Sequence, residues 1–148
     1  MGIFSMMNTS ASGLTAERLR MDVISENIAN ANTTVTDSGG PYRKKNVVFQ
    51  ERQKTEFQIP MNMSEMKNEE IGNGVRVLKI VEDTKTPFKK VYDPSHPNAD
   101  KEGYVSMPNV NVVKEMTDMI TASRAYEANV TVLNNAKGMA NAALNIGK

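Results

Sequence analysis

The sequence predicts an α+β chain of 148 residues, with N- and C-terminal helices paired as a coiled-coil stalk and a small β-rich middle domain. Three observations predict it. Apolar residues recur at every seventh position near both ends, the mark of helices that bury a narrow seam. The middle carries short apolar–polar alternations bounded by Gly, Pro and Asn, as half-buried strands do. Tyr42, Phe49, Phe57, Phe88, Tyr92 and Tyr104 lie in the middle and only Phe4 and Tyr126 toward the ends, so a self-contained core belongs in the centre.

The spacing predicts a first helix from about Ile3 to Asn30. Met7, Leu14, Met21 and Ile28 stand seven residues apart, with Ala11 and Ile24 beside them. The other faces carry Glu17, Arg18, Arg20 and Glu26, and Gly13 costs about 1 kcal/mol relative to Ala in a helix interior, so the helix alone is marginal. The β-branched run Thr33-Thr34-Val35-Thr36 and the turn formers Asp37-Ser38-Gly39-Gly40-Pro41 end it, which sets a first segment at 1–36.

The middle segment, 37–104, reads as strands at Asn46 to Phe49, Glu56 to Ile59, Gly74 to Glu82 and Phe88 to Tyr92. Gly72-Asn73-Gly74 marks a tight turn, and the stretch from Met61 to Asn73 is polar and dotted with Met. Arg43-Lys44-Lys45 reads as a solvated strand edge. Asp93-Pro94-Ser95-His96-Pro97-Asn98-Ala99-Asp100 reads as an extended connector, because each Pro lacks a donor and restricts the residue before it.

The last segment, 105–148, predicts a helix from about Val110 to Ile146. Met119, Tyr126, Leu133 and Ala140 form one column; Met116, Ser123, Val130 and Leu144 form another, broken by Lys137. At 1.5 Å per residue such a helix is roughly 50 Å long, more than a compact domain of this size needs. Both seams mix Met, Ala and Ser with Leu and Ile, so a single pair gains modestly against an ordering cost of about 1–2 kcal/mol per residue. Two readings stay open: the core of a monomeric helical domain, or contacts among similar subunits, which Met-rich surfaces and heterologous packing favour.

Composition narrows the chemistry. With 18 basic against 17 acidic residues the net charge is +1, which gives no electrostatic footprint for a nucleic-acid partner. The chain has no Cys, hence no thiol nucleophile, disulfide or thiolate metal site. Asp93, His96, Asp100 and Glu102 are the one cluster of metal-ligand types, but with a single imidazole and no rigid scaffold a solvated connector is the expectation. Gly72-x-Gly74 precedes a strand instead of opening a helix, so it cradles no phosphate. No Ser or Thr has an assignable His base, no run approaches a membrane span, and the start lacks the basic leader and apolar core of a cleaved signal peptide. The expectation is a non-enzymatic chain with no cofactor, metal or small-molecule substrate.

Two stretches carry a resemblance. Asn27-Ile28-Ala29-Asn30, followed by Thr33, is similar to the N-terminal signature of flagellar rod and hook proteins. Gly103-Tyr104-Val105-Ser106-Met107-Pro108-Asn109-Val110, then Glu115-Met116 and Ser123-Arg124-Ala125-Tyr126-Glu127-Ala128-Asn129, resembles the closing signature of the same family. The short length, Gly40 to Lys45, and Asp93-Pro94-x-His96-Pro97-x-Ala99-Asp100 look most like a proximal-rod member.

The resemblance implies a structural subunit of the proximal rod of the bacterial flagellar basal body, self-assembling through its terminal helices into a helical tube that transmits motor torque. It implies partners among copies of itself, other rod subunits, basal-body ring proteins and export-gate proteins. It places the chain in the rod crossing the periplasm, exported unfolded by the flagellar type III apparatus, with terminal segments that order on assembly. The expected assembly residues are Met7, Leu14, Met21, Ile28, Met116, Met119, Tyr126, Val130 and Leu133, with Asn27 and Asn30 shaping the helix exit. The alternatives are another rod or hook axial protein, a helical adaptor that never polymerises, and a small metal-dependent hydrolase.

Overall fold

A computed structural model of the chain describes residues 3–37, 39–52 and 73–146. Its elements run α1 (Ile3–Ala29), β1 (Lys45–Glu51), β2 (Val75–Glu82), β3 (Lys89–Tyr92), β4 (Tyr104–Met107) and α2 (Val112–Ile146). The architecture is α+β, with a helix at each end and two small antiparallel sheets between them. The expected strand at 56–59 lies outside the described residues.

Helix α1 stops where its carbonyls find other donors. The Asn30 backbone N–H and side-chain Nδ2 both donate to Glu26 O, each at 3.0 Å, and Thr33 Oγ1 donates to Asn30 Oδ1 at 3.1 Å. The chain then turns through Gly39 and Gly40, at φ 81° and 87°, a left-handed conformation that Gly adopts without a Cβ clash. Tyr42 N–H donates back to Thr33 O at 3.1 Å, which brings β1 to the end of α1.

Strands β1 and β2 form a hairpin that rests on α1. Val47 lies opposite Ile80 and Phe49 opposite Val77; Leu78 has no partner, so the sheet is bulged there. Gly74, at φ 85°, leads into β2 with Ser12 Oγ so close that any Cβ would run into it. The Val75 N–H donates to that same hydroxyl at 3.0 Å, pinning the strand to the helix.

The second hairpin corrects two expectations. Strand β4 pairs with β3 from Lys89 opposite Met107 to Tyr92 opposite Tyr104, where the sequence suggested only β3. Four residues are too short a run for alternation to stand out. The stretch from Asp93 to Asp100 is not an extended connector either, but the folded loop of this hairpin. Asp93 Oδ1 accepts from Ser95 N–H at 3.1 Å and from its hydroxyl at 2.6 Å, while Asp100 Oδ1 accepts the Glu102 and Tyr104 N–H groups, both at 2.9 Å. Short side-chain acceptors make the turns that Pro permits but does not specify. The Ser95 hydroxyl, then its N–H, holds the Asp93 carboxyl below the usual carboxylate range.

The two helices pack against each other antiparallel, since Asn27 meets Glu115 while Gly13 meets Asn129, fourteen residues along on each helix. The line of closest approach is not the apolar column of either helix. On α2 it runs through Glu115, Ala122, Asn129 and Ala136, three of them buried. Met116, Ser123 and Val130 each follow a residue of that line and so sit about 100° around the helix. On α1, Leu14 and Ile28 likewise follow Gly13 and Asn27, and all of Met7, Leu14, Met21 and Ile28 are half-buried. Small residues win the centre because they let the backbones approach, which bulky Met and Leu prevent. Among the described residues the buried apolar side chains are Ala16, Val23, Ile24, Tyr42, Val105, Pro108, Ala122 and Ala136, a core with three Ala in it.

Candidate functional site

Among the described residues the two largest fully buried side chains, Asn27 and Glu115, meet at the joint where the last turn of α1, the entry to β1 and the first turn of α2 converge. Asn27 is 1 % exposed there. Its Nδ2 donates to Lys45 O at 2.9 Å and Glu115 Oε2 at 3.0 Å; its Oδ1 accepts from Tyr42 OH at 3.0 Å and Lys45 N–H at 2.9 Å. Both donors and both lone pairs of the amide are therefore used, the condition under which burying it is tolerable.

Glu115 is also 1 % exposed, and its second oxygen takes the Lys44 ammonium in an ion pair. Burial chiefly, then the carboxylates of Glu26, Glu82 and Glu115, push the Tyr42 phenol up to about 12. Asn109 extends the joint: its Oδ1 accepts Lys44 N–H at 2.8 Å, and its Nδ2 donates to Asp83 O at 3.0 Å and Thr86 O at 3.3 Å. Arg43-Lys44-Lys45 is thus not a solvated edge. Lys44 pairs with Glu115, Lys45 with Glu26, and the Arg43 guanidinium lies 4.3 Å over the Phe88 ring. Placing the run between two helix ends gives each cation a counterpart that the sequence could not reveal.

The polar groups of Asn27, Tyr42, Glu115 and Asn109 are taken up by one another and by the 44–45 backbone, although Glu26, Tyr42, Arg43 and Lys45 also border an open cleft of about 610 Å³. The chemistry of the joint is that of a lock, fixing the β1–β2 hairpin to both helices. Among the described residues no three His, Cys, Asp or Glu side chains converge as a ligand set, and no helix is long and apolar enough to cross a membrane.

The signature residues from the two ends meet in part. Asn27 and Asn109 both bind the 44–45 backbone, while Asn30 and Thr33 form the helix exit. Ile28 is half-buried and Ala29 exposed. Gly103, at φ 82°, lies under Tyr92, whose Cε2 a Cβ would meet at 2.9 Å, and the Tyr104 ring stands edge-on to Tyr92 with centroids 5.3 Å apart. Val105 and Pro108 are buried and Val110 half-buried. Asn129 packs on Gly13, and Arg124 is out on the surface, paired with Glu127 at 2.8 Å. Sequence reading passed over Tyr42, Lys44 and Glu115 as site residues. The available signal was Glu115 itself, the one charged member of its seven-residue line.

Of the expected assembly residues, Met119, Tyr126, Val130 and Leu133 are half-buried and Met116 is 53 % exposed. Beside Met116, Val113 and Ile120 are 74 % and 62 % exposed, an apolar line at helical spacing on the outer face of α2.

Two family models match the chain: Flagella basal body rod protein over residues 7–35, and Flagellar basal body rod FlgEFG protein C-terminal over residues 101–146. These bracket the helix exit at one end and β4 with α2 at the other. Full-length relatives agree. The chain is 51 % identical to the flagellar basal-body rod protein FlgC of Borreliella burgdorferi, over 99 % of this chain and 98 % of that one. It is 47 % identical to FlgC of Bacillus subtilis and 39 % identical to FlgC of Escherichia coli O6:H1, over the whole of each chain. With both signatures in place, Asn27 of one and Asn109 of the other meeting at one joint, and identity running end to end, the chain belongs to the FlgC family of flagellar basal-body rod proteins.

Proposed function

We propose that this chain is a non-enzymatic structural subunit of the flagellar proximal rod, joined to copies of itself and to other rod subunits through its paired terminal helices. The observation that carries the assembly reading is the outer face of α2, where Val113, Met116 and Ile120 stand exposed, uncovered by any other described residue. Monomers rarely leave such a line of large apolar side chains in water. A core with three Ala among its buried apolar residues points the same way, since one subunit recovers little of its ordering cost alone. In this reading the helices continue as coiled-coil packing between subunits, along the columns that flank the line of closest approach. Segments 1–36 and 105–148 form the torque-bearing stalk, and 37–104 the outer domain.

The chain would reach the rod through the flagellar type III apparatus and cross the periplasm there, beside ring and export-gate proteins. Leu14→Asp and Leu133→Asp place a charge in the half-buried columns and are expected to abolish swimming and remove the subunit from purified basal bodies. His96→Ala, which loses one loop acceptor, is expected to swim normally. Normal rods with either Asp variant would sink the assembly reading.

A further inference from the structure

Between α1 and β2 runs a groove of about 690 Å³, floored by Ala16, Leu19 and Val77. Arg18, Arg52 and Arg76 stand on its walls against a single acid, Asp22. The tip of the β3–β4 hairpin is acidic, although Lys89 and Lys90 of β3 leave the hairpin as a whole without net charge. The tip bears Asp93, Asp100 and Glu102 against Lys101 alone, and Tyr92 and Tyr104 are 65 % and 40 % exposed. The hairpin is held at the exit of α1, where Asn98 Nδ2 donates to Thr34 Oγ1 at 3.0 Å, and its strands do not come close to α1 or β2, so it does not fill the groove of its own chain.

We propose that the β3–β4 hairpin of one subunit docks in the α1–β2 groove of a second copy, its carboxylates meeting the three guanidiniums and its tyrosines the apolar floor. Opposite charge excess on two different surfaces of one molecule favours a head-to-tail contact, which is heterologous and propagates instead of closing as a two-fold dimer. Guanidinium–carboxylate pairing supplies register, and aromatic burial supplies most of the attraction. The inference rests on the rod reading above and adds to it which surfaces of neighbouring copies touch.

Because the sequence contains no Cys, an introduced pair is the only source of disulfides within the subunit. Thr15→Cys in the groove and Lys101→Cys at the hairpin tip are combined in one chain, and basal bodies purified from those cells are oxidised. The expected result is a ladder of dimers and higher species on non-reducing gels, absent from either single variant. Basal bodies that contain the double variant but yield only monomer, an internally linked monomer, or links to a different rod protein overturn the contact while leaving rod membership intact. Absence of the unmodified chain from basal bodies overturns the rod reading itself. Should the double variant fail to assemble, charge reversal decides. Arg18→Glu/Arg52→Glu is expected to cut swimming by about tenfold, and adding Asp93→Lys/Glu102→Lys to restore it in part; no restoration overturns the contact.

Discussion

Asn27 illustrates how much one amide can organise. It serves the backbone of Lys45, the phenol of Tyr42 and the carboxylate of Glu115, partners 18, 15 and 88 residues away. Asn27→Ala would orphan all of them at once, at a cost of about 3 kcal/mol, since each stranded buried group carries a desolvation penalty that water only partly relieves. Asn30→Ala touches a half-exposed turn and is expected to cost under about 1 kcal/mol. Immunoblots of purified basal bodies should show far less of the first variant and near-normal amounts of the second; equal amounts would mean the joint is dispensable. Tyr42 adds a pH dependence. Its phenol titrates near 10.0 when free and at about 12 in the fold, so between those values the folded chain holds a proton that the unfolded chain has lost. Stability is therefore complete below pH 10.0 and falls as pH rises toward 12. Tyr42→Phe is expected to flatten that fall in alkaline denaturation curves, and a Tyr42 that ionises at the ordinary value would contradict the burial argument.

At the scale of elements, the helix pair is decided by what is absent. Gly13 sits so close to α2 that a Cβ there would lie 3.0 Å from Asn129 Nδ2. Gly13→Ala gains about 1 kcal/mol of helix propensity and gives it back in moving the amide, leaving the pair nearly neutral. Gly13→Leu has no such escape and is expected to wedge the helices apart at about 2–3 kcal/mol. Thermal dissociation of assembled rods would order the three as Gly13 and Ala together, Leu well below. Leu tolerated as well as Ala would mean the helices do not pack on this line. Element boundaries in the helices and in β1, β2 and β3 were legible within a few residues, because long periodic runs and turn residues mark them. Strand β4 and the Asp93 to Asp100 loop were not, because their pairing depends on two stretches of chain reaching each other.

For the molecule as a whole, antiparallel packing leaves α2, 35 residues long, projecting beyond the start of α1, which has 27. Leu144 lies on this projecting stretch, 73 % exposed, in the same column as Met116 and Val130. A stalk so incompletely covered is expected to order on contact with neighbours. Circular dichroism of the purified monomer should show low helicity that rises on mixing with rod partners; full helicity with one cooperative melt would contradict coupled folding.

The sequence alone determined that both ends are helical, that the middle is β-rich, that thiol chemistry is excluded, and which family signatures are present. These follow from periodicity, composition and short motifs, all of which are local. Only the tertiary structure decided that the helices meet along Gly13, Ala122 and Ala136 instead of their greasier columns, and that Asn27, Lys44 and Glu115 form one buried knot. Hydrophobic periodicity records which residues avoid water, whereas close approach of two helices depends on side-chain size and on partners up to 88 residues distant.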